Sequence, residues 1–276
     1  MPSTRSLVQG YASFMVVSAA FSLPGDGTTP RCELVYGKHC NPAETVLLGY
    51  NALWKLHVGV ILVVLVARSS KITIVLKQFV TYSVLLELTG VFLLGTHVLN
   101  GAMDNMVHMV TCIAHFGFLV ALLLAEDEDS LAATSLDLNG IGWNAKGYLL
   151  AVAAYFVLWL FVNTQQPCTD VILDQTDFSL LAQFHWNWWS VGALETVLFL
   201  WYTAAYESEL QQINVALALA ALQPVALAMV YMLKPITTTS IFFMTTTSFS
   251  LILIFGILSA LQPLQVAGSS VNEKIE

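Results

Sequence analysis

The sequence is poor in charge. Only 10% of its 276 residues are Asp, Glu, Lys or Arg, against 57% hydrophobic, and mean hydropathy is +0.73. A soluble domain carries about 25% charged residues. This balance excludes one and predicts an all-α, polytopic integral membrane protein. Basic residues are scarcer still, with ten Lys and Arg against eighteen Asp and Glu. They form no stripe, which excludes a nucleic-acid partner. The acidic excess lies in loops such as EDEDS (126–130) and at Asp170, Asp174 and Asp177, where it reads as loop solvation. The sequence also has no Gly-rich phosphate loop, no HExxH helix and no GxSxG elbow, the motifs of phosphate binding, zinc hydrolysis and serine hydrolysis. The long loops, 24–44, 126–146 and 163–180, are too short to hold a soluble domain.

What remains is apolar. Eight segments fit the roughly 17–25 residues of a membrane span. They run over about Leu7–Leu23, Thr45–Ala67, Ile74–Leu99, Met103–Ala125, Gly147–Val162, Leu181–Tyr206, Leu210–Leu233 and Thr238–Leu261. The first also has the form of a signal peptide, with one Arg, a short apolar core and small residues near Ala19 and Ala20. A weak internal repeat favours a retained helix. Gly10-Tyr11 opens an apolar run followed by a polar loop, Cys32 and Trp54; Gly147-Tyr148 opens another, followed by Cys168 and HWNWW (185–189). An offset of 134 then aligns the third span with the seventh and the fourth with the eighth without a gap. This predicts two tandem four-helix units, 1–130 and 131–276, in one membrane domain. An even helix count gives the units the same orientation.

Arg5, Arg68, Lys71, Lys77, Lys146 and Lys274 fall on one face of this topology, and Arg31, Lys38 and Lys234 on the other. The positive-inside bias places both termini on the cytoplasmic side, or its stromal or matrix equivalent. The loops holding Cys32, Cys40 and Cys168 then face the outer or lumenal side, where disulfides persist. Cys32–Cys40, a bridge from either to Cys168, and three reduced thiols all stay open. Cys112 lies in a span and reads as a small packing residue.

Ionisable groups inside a span cost roughly 2.5–3.5 kcal/mol each. Lys55, His57, Glu87, His115 and Glu195 all fall near the bilayer midplane when counted at about 1.5 Å per helical residue. They are the candidate proton or ion relay, with Lys55–Glu87 or His115–Glu87 as the neutralising contact. The alternative is a buried pair that only fixes helix packing. Lys55 and His57 point to opposite sides of their helix.

The fourth span carries a polar stripe, Asp104, His108, Cys112 and His115, at steps of four, four and three. His97 and Asn100 lie across a short turn from its outer end. His97, Asp104 and His108 are therefore candidate ligands of a divalent metal such as zinc. Haem or chlorophyll on a histidine is the other cofactor reading. At offset 134 the stripe becomes Thr238, Phe242, Thr246 and Phe249, so its chemistry belongs to the first unit alone. Threonines there are expected to bond the carbonyl one turn back. Pro224 aligns with Gly90, marking a kink at one level in both units. HWNWW reads as an interfacial aromatic belt, or else as a stacking wall for an amphipathic ligand.

The leading functional expectation is a transporter or channel-like protein moving protons, cations or a small solute. A cofactor- or pigment-binding accessory subunit of a larger membrane complex comes second, and an intramembrane enzyme acting on a lipid third; no catalytic residue is assigned. The expected partners are the lipid bilayer, other membrane subunits or a second copy of the chain.

Overall fold

A computed structural model describes residues 3–22, 41–68, 72–94, 106–126, 141–165, 179–234 and 238–272. All regular structure among them is helical: α1 (Thr4–Ser22), α2 (Pro42–Arg68), α3 (Ile74–Thr89, continued by a π-helical turn Gly90–Leu94), α4 (Met106–Leu124), α5 (Ala145–Gln165), α6 (Leu180–Tyr206), α7 (Glu209–Leu233) and α8 (Thr239–Asn272). Four stretches are long and apolar enough to cross a membrane: Leu47–Ala67, Ile74–Phe92, Glu209–Tyr231 and Phe242–Gln262. α4 and α5 hold the shorter apolar stretches Met109–Leu124 and Ala145–Phe161.

Helix starts follow the capping residues. Asn41 and Glu44 form a reciprocal box, Asn41 Oδ1 accepting from the Glu44 amide at 2.8 Å and Glu44 Oε2 from the Asn41 amide at 2.9 Å. Thr73, Ser179 and Ser208 cap α3, α6 and α7 through their hydroxyl oxygens. Ser179 also donates to Glu44 Oε1 at 2.5 Å. The N-termini of α2 and α6 are thus joined at one end of the bundle.

α2 and α6 are the central pair. Their contacts advance in step, from Glu44–Ser179 to Asn51–His185 to Trp54–Trp189, so the two helices run parallel. α1 packs on α2, α5 on α6, α4 on α3 and α8 on α7; α3 leans on α6, and α7 on α2. Arg5 bonds the Val66 carbonyl, Lys77 the Ala125 carbonyl, Thr4 the Glu126 carbonyl, Thr73 the Tyr202 hydroxyl and Gln211 the Leu65 carbonyl. These bonds gather the starts of α1, α3 and α7 with the ends of α2, α4 and α6 at the opposite end of the bundle.

Polarity runs inside out. Ile113, Phe116, Leu158 and Phe243 point outward, while Asn51, His57, Glu87, His115, Glu195 and Gln223 are buried. Helices that bury polar groups and expose large apolar ones suit a hydrocarbon solvent. Close approach depends on small residues. A Cβ on Gly59 would meet the Val16 nitrogen at 3.0 Å and the Ala12 carbonyl oxygen at 3.1 Å, and one on Gly192 would meet Trp54 Cβ at 2.7 Å.

One sequence expectation changes here. HWNWW is not an interfacial belt: His185, Trp186 and Trp188 are buried within the bundle, Trp189 is half-buried, and only Asn187 is exposed. The central position of α6 turns this segment inward. At the expected kink level α3 passes into a π-helical turn at Gly90, and α7 carries Pro224 inside the helix.

Glu207 links α6 to α7 outside both helices. Burial pushes its carboxyl above the usual carboxylate range, against the opposing effect of the hydrogen bond donated by Tyr202 at 2.7 Å. A raised carboxyl affinity for protons stabilises the fold at low pH, and this contribution is lost as pH rises above the unfolded-state value. Glu207→Gln should narrow the gap between the thermal midpoints in detergent at pH 4.5 and pH 7.5. Gly192→Ala should lower the midpoint by the equivalent of about 1–3 kcal/mol of overpacking. Gly117→Ala, with open space at that Cβ, should not.

Candidate functional site

The site forms where α3, α4 and α6 meet under α1 and α2. Glu87, His115, Glu195 and Lys55 lie nine to thirteen residues from the shared helix end, about 14–20 Å in at roughly 1.5 Å per residue. Glu87, His115 and Glu195 are fully buried, and Lys55 is half-buried. The two carboxyls are close electrostatic neighbours.

Each carboxyl has one satisfied oxygen. Ser83, one turn before Glu87 on α3, donates to Glu195 Oε1 at 2.6 Å. The Tyr11 hydroxyl lies 3.1 Å from Ser83 Oγ. Since Ser83 gives its proton to Glu195, Tyr11 donates to Ser83, and a chain runs Tyr11 to Ser83 to Glu195. The Trp188 indole N–H donates to Glu87 Oε2 at 3.1 Å. Glu87 Oε1 and Glu195 Oε2 meet no N–H or O–H donor among the described residues, and the two carboxyls are side-chain hydrogen-bonding neighbours of each other.

His115 lies opposite Glu87, Nε2 to Oε2, at 3.9 Å. Its Nδ1 bonds the Thr111 carbonyl at 2.8 Å, which places a proton on Nδ1 and leaves Nε2 toward the acid. That Nε2 has no hydrogen bond among the described residues. Phe14 and Tyr11 hold the ring edge-on, with centroids at 5.1 and 6.2 Å. Of the two expected neutralising pairs, His115–Glu87 is the one in reach. Lys55 instead sets its ammonium over the face of Trp188, 4.9 Å from the ring centre, close enough to act electrostatically on Glu195 and His115. Trp188 thus serves the cation with its face and Glu87 with its N–H.

His57 belongs elsewhere. Its Nδ1 donates to the Leu53 carbonyl at 2.7 Å, and Nε2 accepts from the Gln223 amide at 3.3 Å. Both ring nitrogens are engaged, so His57 neither joins the acid pair nor offers a free nitrogen to a tetrapyrrole metal. Cys112 is reduced and packs in an apolar cluster with Val91, Leu181, Phe184 and Trp188. Thr245 and Ser248 bond carbonyls one turn back, at 3.2 and 2.8 Å, as expected for hydroxyls in a helix. His97 and Asp104 of the expected metal site lie outside the described residues, as does the side chain of His108. Among the described residues no group of three His, Cys, Asp or Glu could hold a metal ion. Cys32, Cys40 and Cys168 also lie outside them.

Sequence reasoning missed Tyr11, Ser83 and Trp188. Two had a positional signal: Ser83 precedes Glu87 by four residues and Trp188 precedes Glu195 by seven, both on one helical face. Tyr11 had none, because it reaches the site from another helix.

Trp188→Phe keeps a ring face for Lys55 and removes the donor to Glu87. It should lower the thermal midpoint by the equivalent of about 1–3 kcal/mol, the cost of an unsatisfied buried acceptor. The loss should shrink when Glu87 is already Leu. Equal losses in both backgrounds would show that the indole–carboxyl bond contributes nothing. No family model matches this chain, and no curated protein or solved structure is detectably similar to it, so its chemistry is read from this geometry alone.

Proposed function

We propose that the chain is a multi-pass transporter or channel-like protein that moves protons, alone or with a cation or small solute, and that Glu87, Glu195 and His115 hold the moving proton. The observation that carries this reading is the sealed pair of carboxyls, hydrogen-bonding neighbours of each other, facing an imidazole whose Nε2 has no hydrogen bond among the described residues. Two carboxylates and one ammonium leave the cluster with an uncompensated negative charge, which a low-dielectric interior strongly disfavours. One proton shared among Glu87, Glu195 and His115 restores neutrality. The 3.9 Å gap between Glu87 and His115 exceeds the roughly 2.9 Å of a formed hydrogen bond. A small approach of α3 and α4 would let the proton change owner. A packing-only pair would be expected to close that gap.

The proposal includes the eight-span, two-unit architecture. Asn51 and His185, exchanged by the offset of 134, hydrogen-bond to each other at 2.9 Å. The Trp54–Trp189 ring pair and the Lys55–Trp188 contact are exchanged by the same offset. Residues that meet their own counterparts belong on a pseudo-twofold axis, and the parallel course of α2 and α6 fits an axis along the membrane normal. In this reading the end bearing Arg5, Arg68, Lys77 and Lys146 is cytoplasmic, stromal or matrix-facing.

Glu87→Gln keeps the shape and an oxygen to accept from Trp188, and it removes the titration. In proteoliposomes loaded with a pH-sensitive dye, the variant should lose at least about tenfold of the proton flux while its thermal midpoint holds or rises. Unchanged flux with a lowered midpoint would assign Glu87 to packing and end the relay.

A further inference from the structure

The ionisable groups of the relay cluster come from five helices: Tyr11 from α1, Lys55 from α2, Glu87 from α3, His115 from α4 and Glu195 from α6. The ammonium of Lys55 is seated on a ring. It lies over Trp188, 4.9 Å from the ring centre, and the edge of the same indole donates its N–H to Glu87 Oε2 at 3.1 Å. From that seat the ammonium acts on Glu195 and His115 through its field. At the offset of 134 the cluster loses every charge. Lys55, Glu87 and His115 become Trp189, Ala221 and Phe249, and Glu195 corresponds to Ile61. The ammonium accompanies the acids and is absent where they are absent.

A proton and a metal cation make different demands on the two acids. A hard cation is held by a shell of about six or more oxygen ligands. The oxygens here are already turned to other uses. Ser83 donates to Glu195 Oε1, Tyr11 to Ser83, and Trp188 to Glu87 Oε2. Each of these neighbours points a hydrogen at its acceptor, where a metal would need a lone pair. The two carboxyls are hydrogen-bonding neighbours of each other, and an ionised carboxyl has no donor, so that contact requires a proton between them. Among the described residues no group of three His, Cys, Asp or Glu could hold a metal ion.

We propose that Lys55 is a tethered cation. It fills the charge role that a free alkali-metal cation would take beside Glu87 and Glu195, so the relay carries protons and excludes alkali-metal cations. The proposal rests on the relay reading of this cluster and narrows it, because it removes a co-transported metal cation. Two buried carboxylates call for two positive charges. Lys55 supplies one permanently, and the shared proton supplies the other. Without the ammonium one charge must come from solution, and a shortened side chain leaves space for a sodium ion to bring it.

The test uses the full chain, with sodium as the probe. In detergent, binding of radioactive sodium is measured by equilibrium dialysis against protein-free micelles. The wild-type chain should show no saturable binding. Lys55→Ala should gain one site per chain, at least about tenfold above the wild type in affinity, and Glu87→Gln in that background should abolish it. Lys55→Arg keeps the charge and should gain no site. In proteoliposomes with the membrane potential clamped, wild-type proton flux should be equal in sodium and N-methylglucamine chloride. Circular dichroism checks that each variant is folded. Lys55→Gln, which loses the charge and keeps most of the length, repeats the comparison where Lys55→Ala does not fold. Saturable sodium binding by the wild type, or proton flux that requires sodium, would overturn the proposal. So would a folded, charge-free variant at position 55 that binds no sodium. Failure of the relay reading looks different: Glu87→Gln then leaves proton flux intact, while the sodium measurements still report on Lys55.

Discussion

The carboxyls of Glu87 and Glu195 impose the constraint around which the first four helices and α6 are arranged. Two acids cannot stand in an apolar interior without donors, opposite charge or a proton. Ser83, Trp188 and Tyr11 supply donors, Lys55 supplies charge, and His115 sets an imidazole nitrogen opposite Glu87, the last two from two further helices. Five helices must therefore keep a fixed rotation about their axes for the cluster to be satisfied. Gly59 allows the close approach that holds α1 against α2, and with it Tyr11. Gly192 does the same for α2 against α6, beside the Trp188 that bridges Lys55 and Glu87.

The α2–α6 pair separates two environments. On one side are acids, an imidazole and an ammonium; on the other, indole and phenyl rings. His57 and Lys55, two residues apart, divide accordingly: Lys55 turns to Trp188, and His57 to Gln223 and the aromatic side. This division follows from helical geometry, since a separation of two residues rotates a side chain about 200° around the helix.

Much of the candidate site was legible because depth is a local property. Counting residues along an apolar run fixes height at about 1.5 Å per residue, so Lys55, Glu87, His115 and Glu195 could be put at one level before any packing was known. Rotation and lateral position are not local, so Lys55–Glu87 and His115–Glu87 looked equally fit. HWNWW was misread for the same reason. An aromatic run at the end of a span has the composition of a membrane-interface belt, and only the central position of α6 turns it into an interior wall.

By itself the sequence determined a helical chain with four stretches able to cross a membrane, the helix starts at Asn41, Thr73, Ser179 and Ser208, and the level of the ionisable groups. These follow from composition, capping chemistry and helical rise, all of which act within a few residues. Only the tertiary structure decided that Glu87 faces His115, that Trp188 serves both an ammonium and a carboxyl, and that indole and phenyl rings gather on the other side of the α2–α6 pair. Those facts depend on which helices are neighbours and how each is turned, and contacts between residues a hundred or more positions apart set both.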